Sequence, residues 1–321
     1  MEIIAQKPQR LDKLLQEHLR QPRNQVEQFI KTHGVTVGGK ETRKCGLKLK
    51  GGETISFTLP ETERRMPQEI DFDVEILYED DDILIVNKPP YLTIHPAPSV
   101  KEPTLVDWLR HKGISLSTLS GEERHGIVHR IDRETSGALV VAKNNRAHLA
   151  LSRQLETRTM GRYYLALIDL PLKEDIIVDR PIGRNPVHRT KMAVVPNGRE
   201  AKSAFVKLAL SNDAKTELIG AKLYTGRTHQ IRVHLDSLSR HIINDFTYGF
   251  KRKRDIIGRV MLHAYLIYFI HPATGEKILK KAPLFEDFES MLAHNFQMKD
   301  MHEKMDPRYL VSRFDTAFGR L

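Results

Sequence analysis

Gly126-Ile-Val-His-Arg-Ile-Asp-Arg-Glu-Thr-Ser-Gly137 is the stretch around which the rest of the chain arranges itself. Apolar residues lead into it (Ile127, Val128) and an apolar run, Ala138–Ala142, leaves it. His129–Gly137 therefore reads as a loop between two buried strands. One carboxylate, Asp132, sits on that loop, with Arg130 two residues before it and Arg133 directly after. A fixed loop carrying an acid among cations is a common way to build a site. A turn whose Asp and Ser only satisfy backbone groups accounts for the same residues. Both readings stand at this level.

The chain around this loop has 321 residues, enough for two units and a sizeable core. Its 51 Lys and Arg against 41 Asp and Glu leave a net charge of +10, which favours a polyanionic partner, nucleic acid before anionic membrane. A single cysteine, Cys45, excludes an internal disulfide framework and a cysteine-rich zinc site. Met1–Arg10 has no apolar core followed by a cleavage pattern, and no apolar run approaches the length of a membrane span. The expectation is a cytoplasmic, monomeric protein that does not engage membranes.

Residues 1–62 form a small unit of helix, helix and short strands. Leu11, Leu14, Leu15 and Leu19 share one helical face. Asn24 is placed to cap a second helix that Gly34 ends. Val35–Val37, the Gly38-Gly39 turn, Leu47–Leu49 and Ile55–Leu59 supply strands. The outer face is basic, with Arg10, Lys13, Arg20, Arg23, Lys31, Lys40, Arg43, Lys44, Lys48 and Lys50, a surface suited to phosphate contacts. Residues 63–72 are charged, contain Pro67 and read as a linker.

Residues 73–290 form the large unit. Val74–Leu77 and Ile83–Asn87 read as strands around a solvated acidic turn, Glu79-Asp-Asp-Asp82. A helix begins at Thr104, and Asn144 or Asn145 caps another that runs to about Gln154. Arg162–Ile168 is a strand whose adjacent tyrosines, Tyr163 and Tyr164, must point to opposite faces. Ala204–Leu210, Thr216–Tyr224 and Leu262–Ile270 are further strands. Thr228 is placed to cap a short helix carrying Arg232, and Lys251-Arg-Lys-Arg254 is a basic run suited to phosphates. Asn244–Gly249 reads only as a loop. Residues 291–321 are a C-terminal extension that either packs on the core or frays.

The fifteen histidines include no His-Glu-x-x-His arrangement, and neither a phosphate loop nor Gly-x-Gly-x-x-Gly occurs. His229 and His234 read as structural hydrogen-bonding groups. No cofactor and no metal is called for. What remains is chemistry that an ionised carboxylate performs unaided, as nucleophile or general base.

His129-Arg-Ile-Asp132-Arg-Glu-Thr-Ser-Gly137 resembles the signature of RNA pseudouridine synthases of the RluA type. Asn87–Pro96, Arg162-Tyr-Tyr164-Leu-Ala-Leu, Thr225–His234 and Arg259-x-x-Leu-His-Ala264 resemble that family's other motifs, in its order. Arg10–Leu15, Phe29-Ile-Lys31 and Gly34–Val37 resemble the RNA-binding domain named after ribosomal small-subunit protein four. The resemblance implies an α+β fold, a mixed and largely antiparallel sheet with a central catalytic cleft, plus the small α+β RNA-binding domain. It implies isomerisation of uridine to pseudouridine, in ribosomal RNA first and transfer RNA second. Asp132 becomes the nucleophile, Tyr164 the residue stacked on the flipped uracil that assists proton removal, and Arg232 the partner that keeps Asp132 ionised. Arg130 enters the RNA where the base has left. His129, Arg133, Arg227, Lys251, Arg252, Lys253 and Arg254 join Arg10, Lys13, Arg43 and Lys44 as expected RNA contacts. Tyr91 and Asn244 stand where the family commonly has glycine. A non-catalytic RNA-binding or ribosome-assembly protein is the alternative, and a metal-dependent nuclease lacks the clustered carboxylates it needs.

Overall fold

A computed structural model describes residues 1–19, 23–58, 69–97, 100–119, 124–250 and 258–319. The chain folds into two compact units, Met1–Pro67 and Gln68–Leu321.

In the first unit the order is β1 (Glu2–Ile4), β2 (Gln9–Arg10), α1 (Leu11–Leu19), α2 (Arg23–His33), β3 (Val35–Val37), β4 (Lys40–Thr42), β5 (Lys48–Leu49) and β6 (Thr54–Ser56). An antiparallel sheet of order β1-β6-β3-β4 packs with the two helices around Leu11, Leu15, Val26, Ile30 and Ile55, all buried. The second helix starts at Arg23, so Asn24 lies in its first turn and not at its cap. Gly34 ends it in the left-handed region, φ 73°, with its N–H bonded to the Ile30 carbonyl at 3.0 Å.

The second unit runs β7 (Glu75–Glu79), β8 (Ile83–Lys88), α3 (Leu105–His111), β9 (Ser136–Ala142), α4 (Asn145–Glu156) and β10 (Gly161–Ile168). It continues with β11 (Ile176–Asp179), β12 (Ile182–Arg184), β13 (Met192–Val194), β14 (Lys202–Leu210), β15 (Glu217–Leu223) and α5 (Gln230–Asp236). It ends with β16 (Leu262–Ile270), β17 (Lys277–Lys281), α6 (Glu286–Asn295), α7 (Met298–Lys304) and α8 (Pro307–Phe318). A nine-stranded sheet has the order β11-β14-β15-β10-β16-β9-β8-β7, with β17 added beside β16. Every pairing is antiparallel except β9 with β16. A mixed sheet with surrounding helices is the α+β class that the sequence predicts.

Period-two alternation explains why β8 and β9 read as unbroken apolar runs. Ile83 and Ile85 pack with Val140 and with Ala147 and Leu151 of α4. Leu84 and Val86 turn the other way and share a core with Leu139, Val141 and the α3 residues Leu105 and Trp108. A strand covered on both faces loses its polar half. The helix α3 carries a capping box, Thr104 with Asp107, and Asn144 caps α4 through its side chain to the Ala147 N–H.

Several expectations change. The lead-in Ile127-Val128 is no strand; Ile127 forms only an isolated bridge to Val141. The acidic turn is less solvated than its composition suggests. Asp80 accepts the N–H groups of Asp82 and Ile83 and meets His271 at 2.7 Å, while Asp82 is buried and takes Asn144 and Arg146. The expected boundary at residue 290 falls inside α6, because Phe288, Leu292, Leu310 and Phe314 join the main core. Each such buried side chain contributes roughly 1.5–3 kcal/mol. Charge hides short strands such as β17: exposed Lys277, Leu279 and Lys281 alternate with half-buried Ile278 and Lys280, and the lysines guard the edge.

At the junction of β9 and β16 only two residue pairs meet, His263 with Ser136 and Ala264 with Gly137. Gly137 has φ 114°, and a Cβ there would lie 2.3 Å from the Ala264 carbonyl oxygen. No other residue fits a position that is both left-handed and in backbone contact.

Candidate active site

The catalytic loop of the sequence reading lies between the Ile127 bridge and β9, and several elements fix it. Lys88, at the end of β8, is fully buried and donates from Nζ to the carbonyls of Pro89 at 2.7 Å, Leu92 at 3.0 Å and Arg133 at 3.2 Å. Burial, aided by the Arg259 charge, pushes its pKa down to about 7, while the three acceptors match the three N–H bonds of the ammonium form. Lys88 so ties the loop to the proline-punctuated segment before it. Ser136 Oγ meets His263 Nδ1 at 2.8 Å and anchors the far end.

His129 faces inward. Its Nε2 accepts the Val140 N–H at 3.1 Å, which fixes the tautomer with the proton on Nδ1. Burial, with the Arg162 charge behind it, holds the ring neutral well below the usual histidine range. His129, expected as an RNA contact, is 7% exposed and holds the loop to β9, while it also lines the cavity beside Asp132. Arg130 and Arg133 are exposed, and the Arg133 guanidinium lies 5.9 Å from the Tyr91 ring centre.

Asp132 is only partly exposed, at 18%, and opens into a cavity of about 300 Å³. The structure brings Arg232 to it across 100 residues, with Nη1 3.2 Å from Oδ2. Yet the main partner of Arg232 is Asp245, in the loop Asn244–Gly249, whose sequence carries no motif for it. Nε and Nη2 of Arg232 donate to the two Asp245 oxygens at 2.7 and 2.8 Å. Burial opposes the charge on Arg232, but the Asp245 and Asp132 carboxylates outweigh it and raise its pKa further. Tyr248, also unforeseen, lies beneath: its ring centre is 5.0 Å from the guanidinium carbon. Its hydroxyl accepts the Met192 N–H at 3.0 Å and lies 2.8 Å from His229 Nδ1.

The turn into α5 is also built differently from the expectation. The residue before the helix is His229, in the left-handed region at φ 57°, and no side chain caps it; Thr228 is exposed. Gln230 organises this turn. Its Oε1 accepts from Thr225 Oγ1 and the Arg227 N–H, and its Nε2 donates to the Lys202 carbonyl and Ser203 Oγ. The left-handed residue aims the imidazole inward, so that Nε2 lies 4.0 Å from Asp132 Oδ1. His234 bonds to Ser203 Oγ and the Arg180 carbonyl, a structural role as expected.

Tyr164 is buried and lines the cavity with Asp132. Its predecessor Tyr163 instead packs on Tyr268 and Phe314, with ring centres 5.7 and 5.1 Å apart. The register shift between the two tyrosines falls on β16, where Tyr265 is the extra residue, while β10 stays in regular register with β15. Burial raises the Tyr164 pKa; Arg162 opposes and Asp132 adds to it. Arg162, Arg227, Arg130 and Arg232 add positive charge to the cavity's lining, with Asp132 the single carboxylate there among the described residues. Arg227 spends its Nε on the Glu200 carbonyl at 2.8 Å.

Away from this site, Lys13, Arg43 and Lys44 are exposed on the first unit, whereas Arg10 is tied to Asp12 through two hydrogen bonds of 2.9 and 2.7 Å. Arg20 and the run Lys251, Arg252, Lys253 and Arg254 lie outside the described residues, as does the side chain of Arg23. Among the described residues no helix is long and apolar enough to cross a membrane.

Tyr91 and Asn244, the two departures from glycine, have φ of 65° and 66°. The backbone thus keeps the left-handed geometry that glycine would adopt freely.

The chain matches the family described as RNA pseudouridylate synthase over residues 82–237, a span that holds Asp132, Tyr164 and Arg232 and ends before Asp245. It is 45% identical over 95% of its length to 95% of a Helicobacter pylori strain J99 protein named uncharacterized RNA pseudouridine synthase. It is 38% identical over 88% of its length to 83% of the Nitrosomonas europaea protein named ribosomal large subunit pseudouridine synthase D. Its fold is similar to that of the solved human RNA Pseudouridylate Synthase Domain Containing 1, with a TM-score of 0.57 at 24% identity, over 73% of this chain and 94% of that one.

Proposed function

Because the chain belongs to the RNA pseudouridine synthase family, we propose that it isomerises uridine in ribosomal RNA to pseudouridine with Asp132 as the nucleophile. The observation that carries the assignment to Asp132 is its carboxylate, open to the cavity and braced by an Arg232 that Asp245 holds from behind. In this reading the carboxylate adds to C1′ of the ribose as the bond to N1 breaks, and the electron pair leaves with the uracil. The base turns, C5 bonds to C1′, Asp132 departs, and the proton lost from C5 is balanced by one gained at N1. Arg232 donates to the Asp132 carboxylate and sets its positive charge beside it. Tyr164, its phenol held protonated by burial, stacks against the uracil and relays a proton without first becoming a phenoxide. Arg130, exposed at the lip, takes the place of the flipped base.

The order of motifs favours the RluA type. The first unit, with Lys13, Arg43 and Lys44 on its surface, is the RNA-binding module in this reading. Ribosomal RNA is preferred because relatives such as the Nitrosomonas europaea protein carry that substrate in their names.

The test uses ribosomal RNA carrying tritium at uridine C5, isolated from cells lacking the protein. The wild-type chain releases tritium, and Asp132→Asn or Asp132→Ala lowers the rate by a factor on the order of 10³ or more while RNA affinity changes little. Full activity in either variant would remove Asp132 from its role. Tight RNA binding with no release by the wild type would make the chain a binding protein instead.

A further inference from the structure

Around the cavity, Arg162 is the buried cation with no counterpart among the described residues. It is 7% exposed, lies on β10 two residues before Tyr164 and so shares its face, and lines the same cavity. Among the described residues its guanidinium has no hydrogen-bond or ion-pair partner, and its Nε is shut off from solvent without one. Arg259, still more deeply buried, shows what such a group normally demands: two bonds to Asp287 and two to the carbonyls of Val260 and Leu262. An unpaired buried charge costs several kcal/mol, which a structure bears where a ligand completes the pair.

The space beside Arg162 is open toward a backbone turn. A methyl group at Gly226 would come within 3.5 Å of Nη1 and 3.8 Å of Nη2, so glycine leaves the guanidinium accessible from that side. Arg227 follows directly and lines the cavity too. Asp245 offsets Arg232, and among the described lining residues Asp132 alone stands against Arg130, Arg162 and Arg227. The cavity therefore carries an excess of positive charge well beyond what its one carboxylate balances.

We propose that Arg162, helped by Arg227, is a buried phosphate site that grips a phosphate flanking the uridine placed over Asp132. That placement rests on the synthase reading; the anion site itself does not. A guanidinium presents a planar fork of donors matched to two phosphate oxygens. Held there, the phosphate fixes the ribose of the target nucleotide, so Arg162 positions C1′ for attack rather than touching the reacting bond.

Calorimetry on the full chain at low salt, with uridine, uridine 5′-monophosphate and uridine 3′-monophosphate as probes, tests the site. The wild type should bind one of the two nucleotides about tenfold or more tighter than uridine, as a charge-assisted bidentate contact requires, and the preferred isomer says which side the phosphate lies on. Arg162→Met keeps the stem and volume but not the charge, and should cut the preference to about twofold or less; Arg162→Lys should retain part of it. If Arg162→Met fails to fold, Arg227→Gln takes its place and should lower the preference about threefold. Equal binding of nucleoside and nucleotides by the wild type overturns the proposal, as does an undiminished preference in Arg162→Met. Tritium release on the same preparations separates the two readings. A wild type that prefers nucleotide but releases nothing keeps the phosphate site and loses the synthase assignment. An active wild type without the preference does the reverse.

Discussion

Arg232 answers to two carboxylates, and the unequal sharing is informative. It gives two short bonds to the buried Asp245 and one longer bond, 3.2 Å, to Asp132. Asp245 therefore sets where the guanidinium lies, and Asp132 receives the donor that is left. Asp245→Asn should lower stability by about 3–5 kcal/mol, as breaking a buried ion pair does. It should also cut kcat roughly 100-fold with little change in KM, since the residue holds Arg232 and not RNA. Urea unfolding and steady-state tritium release would measure both; unchanged kcat would mean that Arg232 holds its place without Asp245. Asp132, Tyr164 and Arg232 were legible in the sequence because each sits in a dense local motif. Asp245 and Tyr248 were not, since Asn244–Gly249 has no periodicity and its value lies only in what folds against it. Burial of Arg162 was equally hidden, because nothing in Arg-Tyr-Tyr says which way the strand faces.

Elements with long apolar runs, β8, β9, β10 and β16, were read in their places, since covered strands carry their signal in every residue. Those missed, β1, β2, β4, β11 to β13 and β17, are short or charged. Position 137 is where one element depends most on another. Two residue pairs join β9 to β16, and Gly137 is one of them. Gly137→Ala combines φ 114° with a Cβ that would press on the Ala264 backbone, so neither strain nor displacement alone relieves it. It should cost more than about 3 kcal/mol and take activity with it, because Asp132 lies five residues upstream on the same segment. A variant with native unfolding midpoint and native rate would show that the junction yields more easily than its contacts imply.

At the scale of the whole molecule, acid should destabilise this protein early. Burial keeps His129 neutral and lowers His263 to about 3 and His95 to about 4, with His234 lowered as well. These folded-state values lie below the unfolded value near 6.5, so between about pH 6.5 and 4 the unfolded chain binds more protons than the folded one. Stability is then fully present above pH 6.5 and falls as pH falls, by up to about 1.4 kcal/mol per pH unit for each fully neutral histidine. Urea midpoints at pH 7, 6 and 5 should decline, and His263→Gln should flatten the slope by roughly one such group. A midpoint constant from pH 7 to 5 would contradict the burial of these rings. None of this was visible in the sequence, where fifteen histidines look alike.

His129 has one more consequence. Along its side toward β16, β9 has a strand neighbour only at Ser136 and Gly137; farther on, the Val140 N–H is taken by an imidazole and the Ala142 N–H by the Gly126 carbonyl. Ser136–Ala142 is wholly buried and, beyond Ser136, carries no polar side chain, the composition of a segment that stacks readily with copies of itself. A side chain and a stretch of loop thus close what would be an open edge, a template for self-association. The loop that carries Asp132 is at the same time the cover that keeps the strand behind it from recruiting a second molecule.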